Sequence, residues 1–411
     1  MIIALALIYM IFATLLNSVG TVILQSIATF GIDKPEASAL ERYKDLTIAF
    51  ASFLPMFGYR RSMMLALAIV GGACVLMPLY PSFVTTRLLF ACVGLGFAMA
   101  KVCVYSSIGL LTTNRVAHSR LTNTIEGLFM VGVLGGNWMF SAFVDSANPG
   151  NPDWLHVYWL LAGACALVIV LLAGSRLDES QAHAHGHNNS LADSLMEMLR
   201  LFVRPLVYVF LASAFLYVLI EQSFGTWLPT FNNEILKLPN AMSIQFASIL
   251  AGMTALGRLG AGIVLKRVRW HTLLNICVVG MGVLVVLVLP LARGVVARPH
   301  VSWLNAPMAA YLIPLIGLLM APIYPVINSV ALSSLPKPMH AAMTGLIVVF
   351  SALGGTMGSY ITARVFASFD GIHAFYFSLL PMTLILITLF FFKRETDRAA
   401  VVAMPSAEAL P

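Results

Sequence analysis

The sequence predicts an all-α integral membrane protein that crosses the bilayer twelve times. Three observations lead to this fold class. The composition is 60% hydrophobic and only 10% charged, long apolar runs recur along all 411 residues, and basic residues concentrate in alternate connections. A soluble domain carries about a quarter charged residues, so the composition excludes one here. No polar stretch is long enough to form a separate soluble domain.

Each apolar run can cross a hydrocarbon core of about 30 Å as a helix. Proline marks the end of two runs, at Tyr80-Pro81 and Leu228-Pro229, because proline disfavours helix at the preceding residue. The twelve predicted spans cover residues 3–29, 39–57, 62–80, 84–111, 119–144, 155–175, 204–231, 241–265, 271–292, 307–333, 340–367 and 372–392.

Lys and Arg in the connections predict the orientation, because cytoplasmic loops carry an excess of both. With a cytoplasmic N-terminus, fourteen basic residues lie inside, seven lie outside and three lie within spans. We therefore expect a multi-pass protein of the inner membrane with both termini in the cytoplasm. The inner residues are Arg60, Arg61, Arg115, Arg120, Arg176, Arg200, Arg204, Lys266, Arg267, Arg269, Lys337, Lys393, Arg394 and Arg398, and the outer ones are Lys34, Arg42, Lys44, Arg87, Lys237, Arg293 and Arg298.

The twelve spans fall into two halves of six. Leu134-Gly135-Gly136 in the fifth span is echoed by Leu353-Gly354-Gly355 in the eleventh. Small residues let helices approach closely, and two parallel repeats are a transporter architecture. We predict four regions: an N-terminal six-helix bundle (1–175), a cytoplasmic linker (176–203), a C-terminal six-helix bundle (204–393) and a cytoplasmic tail (394–411).

Signatures of other protein classes are absent from the sequence. It contains no P-loop, no GxSxG and no pair of metal ligands at helical spacing. His183, His185 and His187 in the linker form a tract of a kind that sometimes binds metal, but a solvated linker is the better interpretation. We predict no enzyme, cofactor, metal or nucleic-acid partner. The expected partners are a small-molecule substrate, a proton and the lipid bilayer, and the expected state is a monomer.

Two charges stand inside predicted spans. Lys101 lies about 15 Å from the cytoplasmic end of the fourth span, and Glu126 lies about 10 Å from the same end of the fifth. A charge near the bilayer centre costs several kcal/mol, so it usually faces the bundle interior, pairs with another group or lines a pathway. A static ion pair is one reading. Because a buried pair is weak evidence for stability, we favour substrate binding, with Glu126 also able to carry a proton.

The second span begins with a charged turn. Glu41 and Asp45 are four residues apart and share a helix face, with Lys44 beside them. We interpret Glu41 and Arg42 as an ordinary charged helix end at the membrane interface. Asp45 lies deeper and is a candidate for proton coupling.

Further polar candidates lie in the first, seventh and tenth spans. Glu221 is placed about 25 Å from the cytoplasmic start of the seventh span, where it is a proton-coupling candidate. Prolines in the tenth span free backbone carbonyls, which membranes tolerate where the break lines a cavity. Trp227 is alternatively an interfacial anchor. The predicted substrate-binding residues are Asn17, Lys101, Glu126, Gln222, Trp227, Tyr324 and Asn328.

The topology and two loop motifs resemble the major facilitator superfamily. Gly58-Tyr59-Arg60-Arg61 matches the second part of the family's signature after the second span, whereas Pro55 and Met56 replace its acidic-basic pair. The second half keeps Gly257-Arg258-Leu259, Gly262 and Arg267, with Lys266 at the acidic position. The resemblance implies gating roles for Arg61, Arg258 and Arg267; for Arg258 we favour the alternative that it binds helix-terminal carbonyls or acids.

The Gly94–Gly96 run is weakly similar to the fucose/proton-symporter branch of this family. That branch has carboxylates near Met99 and near Asn17 or Val19, whereas this sequence has Lys101 and Asn17. The family resemblance implies a midplane cavity that opens alternately to each side, often with proton coupling.

Three functions are compatible with the sequence. We favour a secondary active transporter that imports a small polar solute, anionic or zwitterionic, with protons. A drug or metabolite exporter of the same fold is the alternative, although charged fourth and fifth spans argue against its larger, more apolar cavity. A non-transporting membrane sensor would have a long regulatory tail, and the residues after Arg398 are few.

Overall fold

The computed structural model describes residues 1–52, 58–112, 115–175, 191–298, 300–336 and 339–403. In these ranges the regular elements are all helices. The α-helices are α1 (Ile2–Asn17), α2 (Val19–Phe30), α3 (Lys34–Ala37), α4 (Ala39–Ala51), α5 (Tyr59–Leu79), α6 (Phe83–Leu111), α7 (Arg115–Ala142), α8 (Val157–Gly174), α9 (Leu191–Phe202), α10 (Pro205–Glu234), α11 (Asn240–Val264), α12 (Trp270–Val288), α13 (Met308–Leu312), α14 (Ile316–Met320), α15 (Ile323–Ser333), α16 (His340–Ser368), α17 (Gly371–Phe377) and α18 (Leu379–Ala403).

Each predicted span coincides with one or more of these helices. Among the described residues, nine helical stretches are long and apolar enough to cross a membrane, and the bent pair α1–α2 adds a tenth. Two predicted spans are not among these stretches: the second, which corresponds to α4, and the fifth, which corresponds to α7. Residues 53–57, at the end of the second span, lie outside the described ranges, and α7 carries Arg120 and Glu126.

Two spans are interrupted. The first bends by 46° between α1 and α2, where the Ser18 hydroxyl donates to the carbonyl of Leu15 at 2.8 Å and the Asn17 amide donates to that of Ala13 at 2.8 Å. Side chains that bond the preceding turn in this way often bend helices. The tenth span divides into α13, α14 and α15 at its prolines, which lack the backbone N–H that a continuous helix needs.

The chain forms two compact units. Unit 1 contains Met1–Asn188, Gly225–Ala251 and Val295–Ala306, and unit 2 contains Asn189–Phe224, Gly252–Gly294 and Pro307–Pro411. The end of α10, the start of α11 and the connection after α12 therefore pack with the first six spans. The four predicted regions with boundaries at 175, 203 and 393 remain a prediction.

Glycines set the helix contacts in both units. In unit 1, a Cβ atom on Gly132 of α7 would lie 2.6 Å from the Met10 carbonyl oxygen of α1, and one on Gly136 would lie 3.0 Å from Thr14. In unit 2, a Cβ atom on Gly354 of α16 would lie 2.5 Å from the Phe215 carbonyl oxygen. Only glycine permits backbones to come this close.

These contacts show which glycines correspond between the two repeats. Gly132 and Gly136 face α1 four residues apart, and Gly354 and Gly358 face α10 at the same spacing. The structurally equivalent glycines are thus 132 with 354 and 136 with 358. The sequence motifs suggested 135 with 354, three residues away, because matching letters do not show which face of a helix makes the contact.

Some residues used in the sequence analysis lie outside the described ranges. They belong to the signature loop after the second span, the histidine tract and two basic connections, and they are Pro55, Met56, Arg176, His183, His185, His187 and Lys337.

Candidate functional site

Glu126 in α7 is bound by a tyrosine of α6. The Tyr105 hydroxyl donates a short hydrogen bond to Oε1 of the half-buried Glu126. Tyr105 follows Lys101 by four residues, so the two side chains lie on the same face of α6. The residue types and spacing thus bring three polar groups together on neighbouring helices.

Lys101 and Glu126 do not form a direct ion pair. Among the described residues no acidic oxygen lies within 4 Å of the Lys101 ammonium group. The Lys101 side chain is exposed, and its Nζ lies 5.7 Å from the centroid of the Phe97 ring. The static ion-pair reading is therefore wrong for this conformation, because Tyr105 takes the carboxylate.

Aromatic rings surround these charges. The ring centroids of Tyr9 and Phe129 are 5.7 Å apart, those of Tyr9 and Tyr105 6.1 Å, and those of Phe97 and Phe129 6.4 Å. Spacings of this size are typical of edge-to-face and tilted ring contacts. We call this group, together with Lys101 and Glu126, the aromatic site. It consists of Tyr9, Phe97, Lys101, Tyr105, Glu126 and Phe129.

A second group of charges is buried at the start of α4. Glu41 is 1% exposed, Lys44 5% and Asp45 8%. The Lys44 ammonium contacts Oε2 of Glu41 and lies 3.5 Å from Oδ1 of Asp45. We call these three residues the buried triad. Asp45 is thus buried within unit 1, and its depth in the membrane and its role in proton coupling stay predictions.

The interpretation of Glu41 as a charged helix end at the interface is wrong, whereas Arg42 is exposed as expected. Helix periodicity put Glu41 on the Asp45 face, but it did not show what covers that face. The Thr226 hydroxyl donates to Oε1 of Glu41 at 2.6 Å. Close packing at Gly20, whose Cβ would lie 3.1 Å from the Gly225 carbonyl oxygen, holds α2 against the same turn of α10.

Unit 2 has its own aromatic and polar group. The Tyr217 hydroxyl donates to Oε1 of Glu221 at 3.0 Å, and the Tyr217 ring stacks on Tyr324 at 5.5 Å. Tyr324 shares a hydrogen bond of 2.9 Å with Ser351 of α16. One turn further along α15, the buried Oδ1 of Asn328 has no donor among the described residues. Glu221, Tyr324 and Asn328 thus lie in one region of unit 2.

Three other predicted binding residues differ in accessibility. Gln222 is half-buried and adjacent to Glu221, and Asn17 is exposed at the bend of the first span. Trp227 is 0% exposed. In this conformation its indole packs within unit 1, so the alternative that it anchors the chain at the lipid interface is wrong: a packed ring cannot reach the headgroups.

The three predicted gating residues are all exposed. Arg61 lies at the start of α5, Arg258 near the end of α11 and Arg267 in the turn that follows α11. The neighbouring Arg60 donates from Nη1 to the Ser175 carbonyl at 2.7 Å, which ties the start of α5 to the end of α8. Their gating roles remain a prediction.

Sequence reasoning missed several residues of these groups, among them the hydrogen-bonding residues Tyr9, Tyr105, Tyr217 and Thr226. Two of them had a visible signal, because Tyr105 follows Lys101 by four residues and Tyr217 precedes Glu221 by four. Tyr9 and Thr226 had none. They reach their partners from other helices, and no spacing within one helix predicts such contacts.

The chain matches one known protein family over most of its length. The sequence profile of the Major Facilitator Superfamily matches residues 5–359. No curated protein matches the chain significantly.

Solved structures show the same fold. The nucleoside transporter NupG superposes with a TM-score of 0.71 at 14% identity, covering 96% of this chain and 98% of that one. A D-xylose-proton symporter gives 0.69 at 13% identity, covering 95% and 97%. The E. coli fucose:proton symporter FucP gives 0.61 at 16% identity, covering 95% and 98%. At such low identity the likeness shows the twelve-helix fold alone.

Proposed function

Because the chain belongs to the major facilitator superfamily, whose members are membrane transporters and not enzymes, we propose that it is a proton-coupled symporter. It imports a small polar organic solute that carries a negative charge, either an anion or a zwitterion. It works as a monomer in the inner membrane, with both termini in the cytoplasm and two six-helix bundles that give alternating access.

The proposed substrate class rests on one observation: Lys101 and Glu126 do not form a direct ion pair. Tyr105 holds the Glu126 carboxylate, so the exposed Lys101 ammonium is available to a ligand. An exposed charge in the middle of a span would be costly against lipid, which favours an aqueous cavity at this position. An anionic group of the solute then gives Lys101 a charge-assisted partner.

The aromatic rings support a solute with a ring or another flat face. Tyr9, Phe97 and Phe129 form a wall beside Lys101. In the same unit, Asn17 at the bend of the first span supplies a hydrogen-bonding group. Gln222, Tyr324 and Asn328 are the candidate hydrogen-bonding residues of unit 2, taken by itself. Small-molecule sites combine largely apolar walls with a few polar groups in this way. We omit Trp227 from this set because it is fully buried.

Asp45, Glu126 and Glu221 are the candidates for the coupling proton. Each is a carboxylate inside a predicted span, where ionisable residues commonly mark proton pathways. Two of the structures that share the fold are described as proton symporters. This likeness supports proton coupling here and leaves the solute open.

The test has two steps. A thermal-shift screen of the purified protein against sugars, sugar acids, organic acids, amino acids and nucleosides identifies the solute, with the largest shifts expected for negatively charged members. Uptake of that solute into proteoliposomes should then exceed equilibration when the outside is acidic. Uptake that is unchanged when a protonophore collapses the gradient would exclude proton coupling, and a screen in which only neutral solutes shift would exclude the substrate class.

A further inference from the structure

An open groove runs between α12 and α18 on the surface of unit 2. Its volume is about 480 Å³, and its lining is apolar apart from Thr383, whose hydroxyl donates to the Leu379 carbonyl at 2.8 Å. Val279 and Val283 in its wall are each 51% exposed. Gly282 leaves room between the helices, because a Cβ atom there would approach only Leu379, at 3.7 Å. Two membrane-spanning helices thus leave an apolar channel open along their length.

The faces that line the groove continue toward one end of the two helices. Lys393 follows the lining residue Leu386 by seven positions on α18, and Asn275 precedes the lining residue Val279 by four on α12. Residues at these spacings share a helix face. The groove therefore leads along both helices to the same end of unit 2, which is the cytoplasmic end in the predicted orientation.

Basic groups from both helices meet at this end. His271 of α12 lies within electrostatic range of Arg269 and Lys393. Within the described ranges, no acidic oxygen lies within 4 Å of the side-chain nitrogens of Arg269 or Lys393. Among the charged groups that act on His271, these two bases outnumber the one acid, Asp397. The end of the groove therefore carries an excess of positive charge.

Asn275 supplies a polar group between the basic end and the groove. Its side chain is exposed on a span and forms no hydrogen bond within the described part of the chain. An amide against hydrocarbon is costly unless it is hydrogen-bonded. Nearer the end, the ring centroids of Trp270 and Phe392 are 5.6 Å apart, and tryptophan is typical of the membrane interface. These residues indicate that the boundary between headgroups and hydrocarbon lies near Asn275.

The length of the groove agrees with that boundary. From Asn275 to the lining residue Val286, α12 rises about 16 Å. One leaflet contributes about 15 Å to the hydrocarbon core. An acyl chain that begins at Asn275 therefore reaches the far part of the groove.

We propose that the groove binds one phospholipid with an anionic headgroup, from the leaflet at this end of unit 2. The phosphate binds Arg269 and Lys393, an ester carbonyl accepts from the Asn275 amide, and an acyl chain lies along Val283. Basic pockets between spanning helices bind acidic headgroups in this way. None of the proposed solute-binding residues lines the groove, so the inference goes beyond the proposed function.

A lipid fits this surface better than a second copy of the chain does. A two-fold interface presents the same patch on both subunits. Around an axis along the membrane normal, the two basic ends would lie at the same level and repel each other. An anionic lipid neutralises Arg269 and Lys393 instead.

Native mass spectrometry of the delipidated protein in detergent tests the proposal. The protein receives dioleoyl phosphatidylglycerol or dioleoyl phosphatidylcholine, which share their acyl chains and differ in net charge. We expect the first phosphatidylglycerol to bind more tightly by at least about tenfold, since each basic residue contributes about a fivefold factor toward an anionic headgroup. Equal affinity for the two lipids would overturn the proposal.

The headgroup site is tested by removing its charges. Arg269→Gln combined with Lys393→Gln should weaken phosphatidylglycerol binding by about twentyfold and leave phosphatidylcholine binding unchanged. Arg204→Gln removes an exposed basic residue at the start of α10 and is the matched control, which should retain the preference. An equal loss in the control would mean that overall charge, and not this site, attracts the lipid.

The groove and the ester contact are tested separately. Val283→Trp fills the groove, and Asn275→Leu removes the donor, so each should weaken the binding of both lipids by about fivefold. Leu384→Trp adds the same ring on another exposed face of α18, outside the groove, and should change nothing. If Val283→Trp binds both lipids as the parent does, no acyl chain occupies the groove.

Two other occupants would be recognised in the same measurements. Inorganic phosphate in excess should leave phosphatidylglycerol bound. Displacement by phosphate would identify a site for free anions, and a dimer that persists when the lipid is added would identify a second copy of the chain. Either result would refute the lipid site, and neither measurement requires solute or transport.

Discussion

The Tyr105 hydroxyl binds Glu126, one of the two opposite charges of the aromatic site. Its hydrogen bond occupies Glu126, while Lys101 remains exposed beside Phe97. Hydrogen bonds to charged groups contribute about 1.5–3 kcal/mol.

We therefore predict that Tyr105→Phe weakens solute binding about tenfold, equivalent to 1.4 kcal/mol. The freed Glu126 carboxylate then competes with the anionic solute for Lys101. The measurement is the KM for uptake into proteoliposomes, or the dissociation constant from thermal shift. Tyr9→Phe, which removes a hydroxyl from the same aromatic site, is the matched control. An unchanged or tighter affinity in Tyr105→Phe would show that Glu126 does not compete for Lys101.

At the scale of helices, packing in unit 1 depends on one face of α7. Gly132 and Gly136 lie against α1, whereas a Cβ atom on the intervening Gly135 would have no neighbour within 4 Å. The Thr14 hydroxyl also donates to the Gly132 carbonyl at 2.9 Å, which joins the two helices at the same point. Gly132 and Gly135, three residues apart in one helix, should therefore respond differently to replacement by a larger residue.

Gly132→Ala should lower the free energy of unfolding by about 1–3 kcal/mol through overpacking against the Met10 carbonyl. Gly135→Ala should leave it unchanged or raise it by up to about 1 kcal/mol, because alanine favours helix over glycine. Thermal denaturation in one detergent compares the two variants. Equal loss in both would mean that α1 and α7 are not held together at Gly132.

The start of α17 depends on a capping carboxylate outside the membrane spans. Asp370 Oδ1 accepts from the His373 backbone N–H at 2.7 Å and contacts His373 Nδ1 at 2.8 Å. Partial burial alone would raise the pKa of Asp370, but these hydrogen bonds hold its pKa below the ordinary value of 3.8.

Asp370→Ala should destabilise the protein by about 1 kcal/mol at pH 7. Because the folded-state pKa is the lower one, the difference is full above pH 3.8 and disappears as the pH falls through the folded value. Thermal denaturation at pH 7 and in acid measures it. Asp370→Asn, which still caps the helix, should stay close to the parent at pH 7. A loss as large as that of Asp370→Ala would exclude capping as the cause.

At the scale of the whole molecule, the connection before the tenth span belongs to unit 1. Trp303 in this connection lies between Phe246, at 4.2 Å, and Trp138, at 5.6 Å, with rings within 16° of parallel. Its indole N–H donates to Gln245 at 3.1 Å, and Gln245 donates to Ser141 at 3.2 Å. The stack thereby holds residues 295–306 within unit 1.

Trp303→Ala should loosen this attachment by about 1–3 kcal/mol, since each aromatic pair contributes about 0.5–1.5 kcal/mol beyond area burial. We expect thermal denaturation in one detergent to show a lower melting temperature for this variant than for the parent protein. Leu304→Ala is the matched control, because the adjacent Leu304 is 96% exposed and should change nothing. Equal melting temperatures in both variants would mean that the stack does not stabilise the attachment of residues 295–306 to unit 1.

Much of the fold follows from the sequence because every membrane-spanning segment must meet the same requirement, an apolar run long enough to cross the bilayer. Apolar length and loop charge are properties of single segments, so the all-helical, twelve-span fold class could be predicted, whereas the four predicted regions stay a prediction. Candidates such as Asp45, Glu126 and Glu221 were also recognisable, since a charge inside an apolar run is unusual wherever its partners lie.

The partners themselves could not be predicted. Glu41 is bound by Thr226 from a helix 185 residues away in sequence. Tyr105 binds Glu126, while within the part of the chain that the structure describes no acidic oxygen lies within 4 Å of the Lys101 ammonium group. Such outcomes depend on the rotation and approach of neighbouring helices, and close glycine contacts such as those of Gly132 and Gly354 limit both. The sequence by itself determined which residues enter the membrane, and only the tertiary structure decided which of them meet.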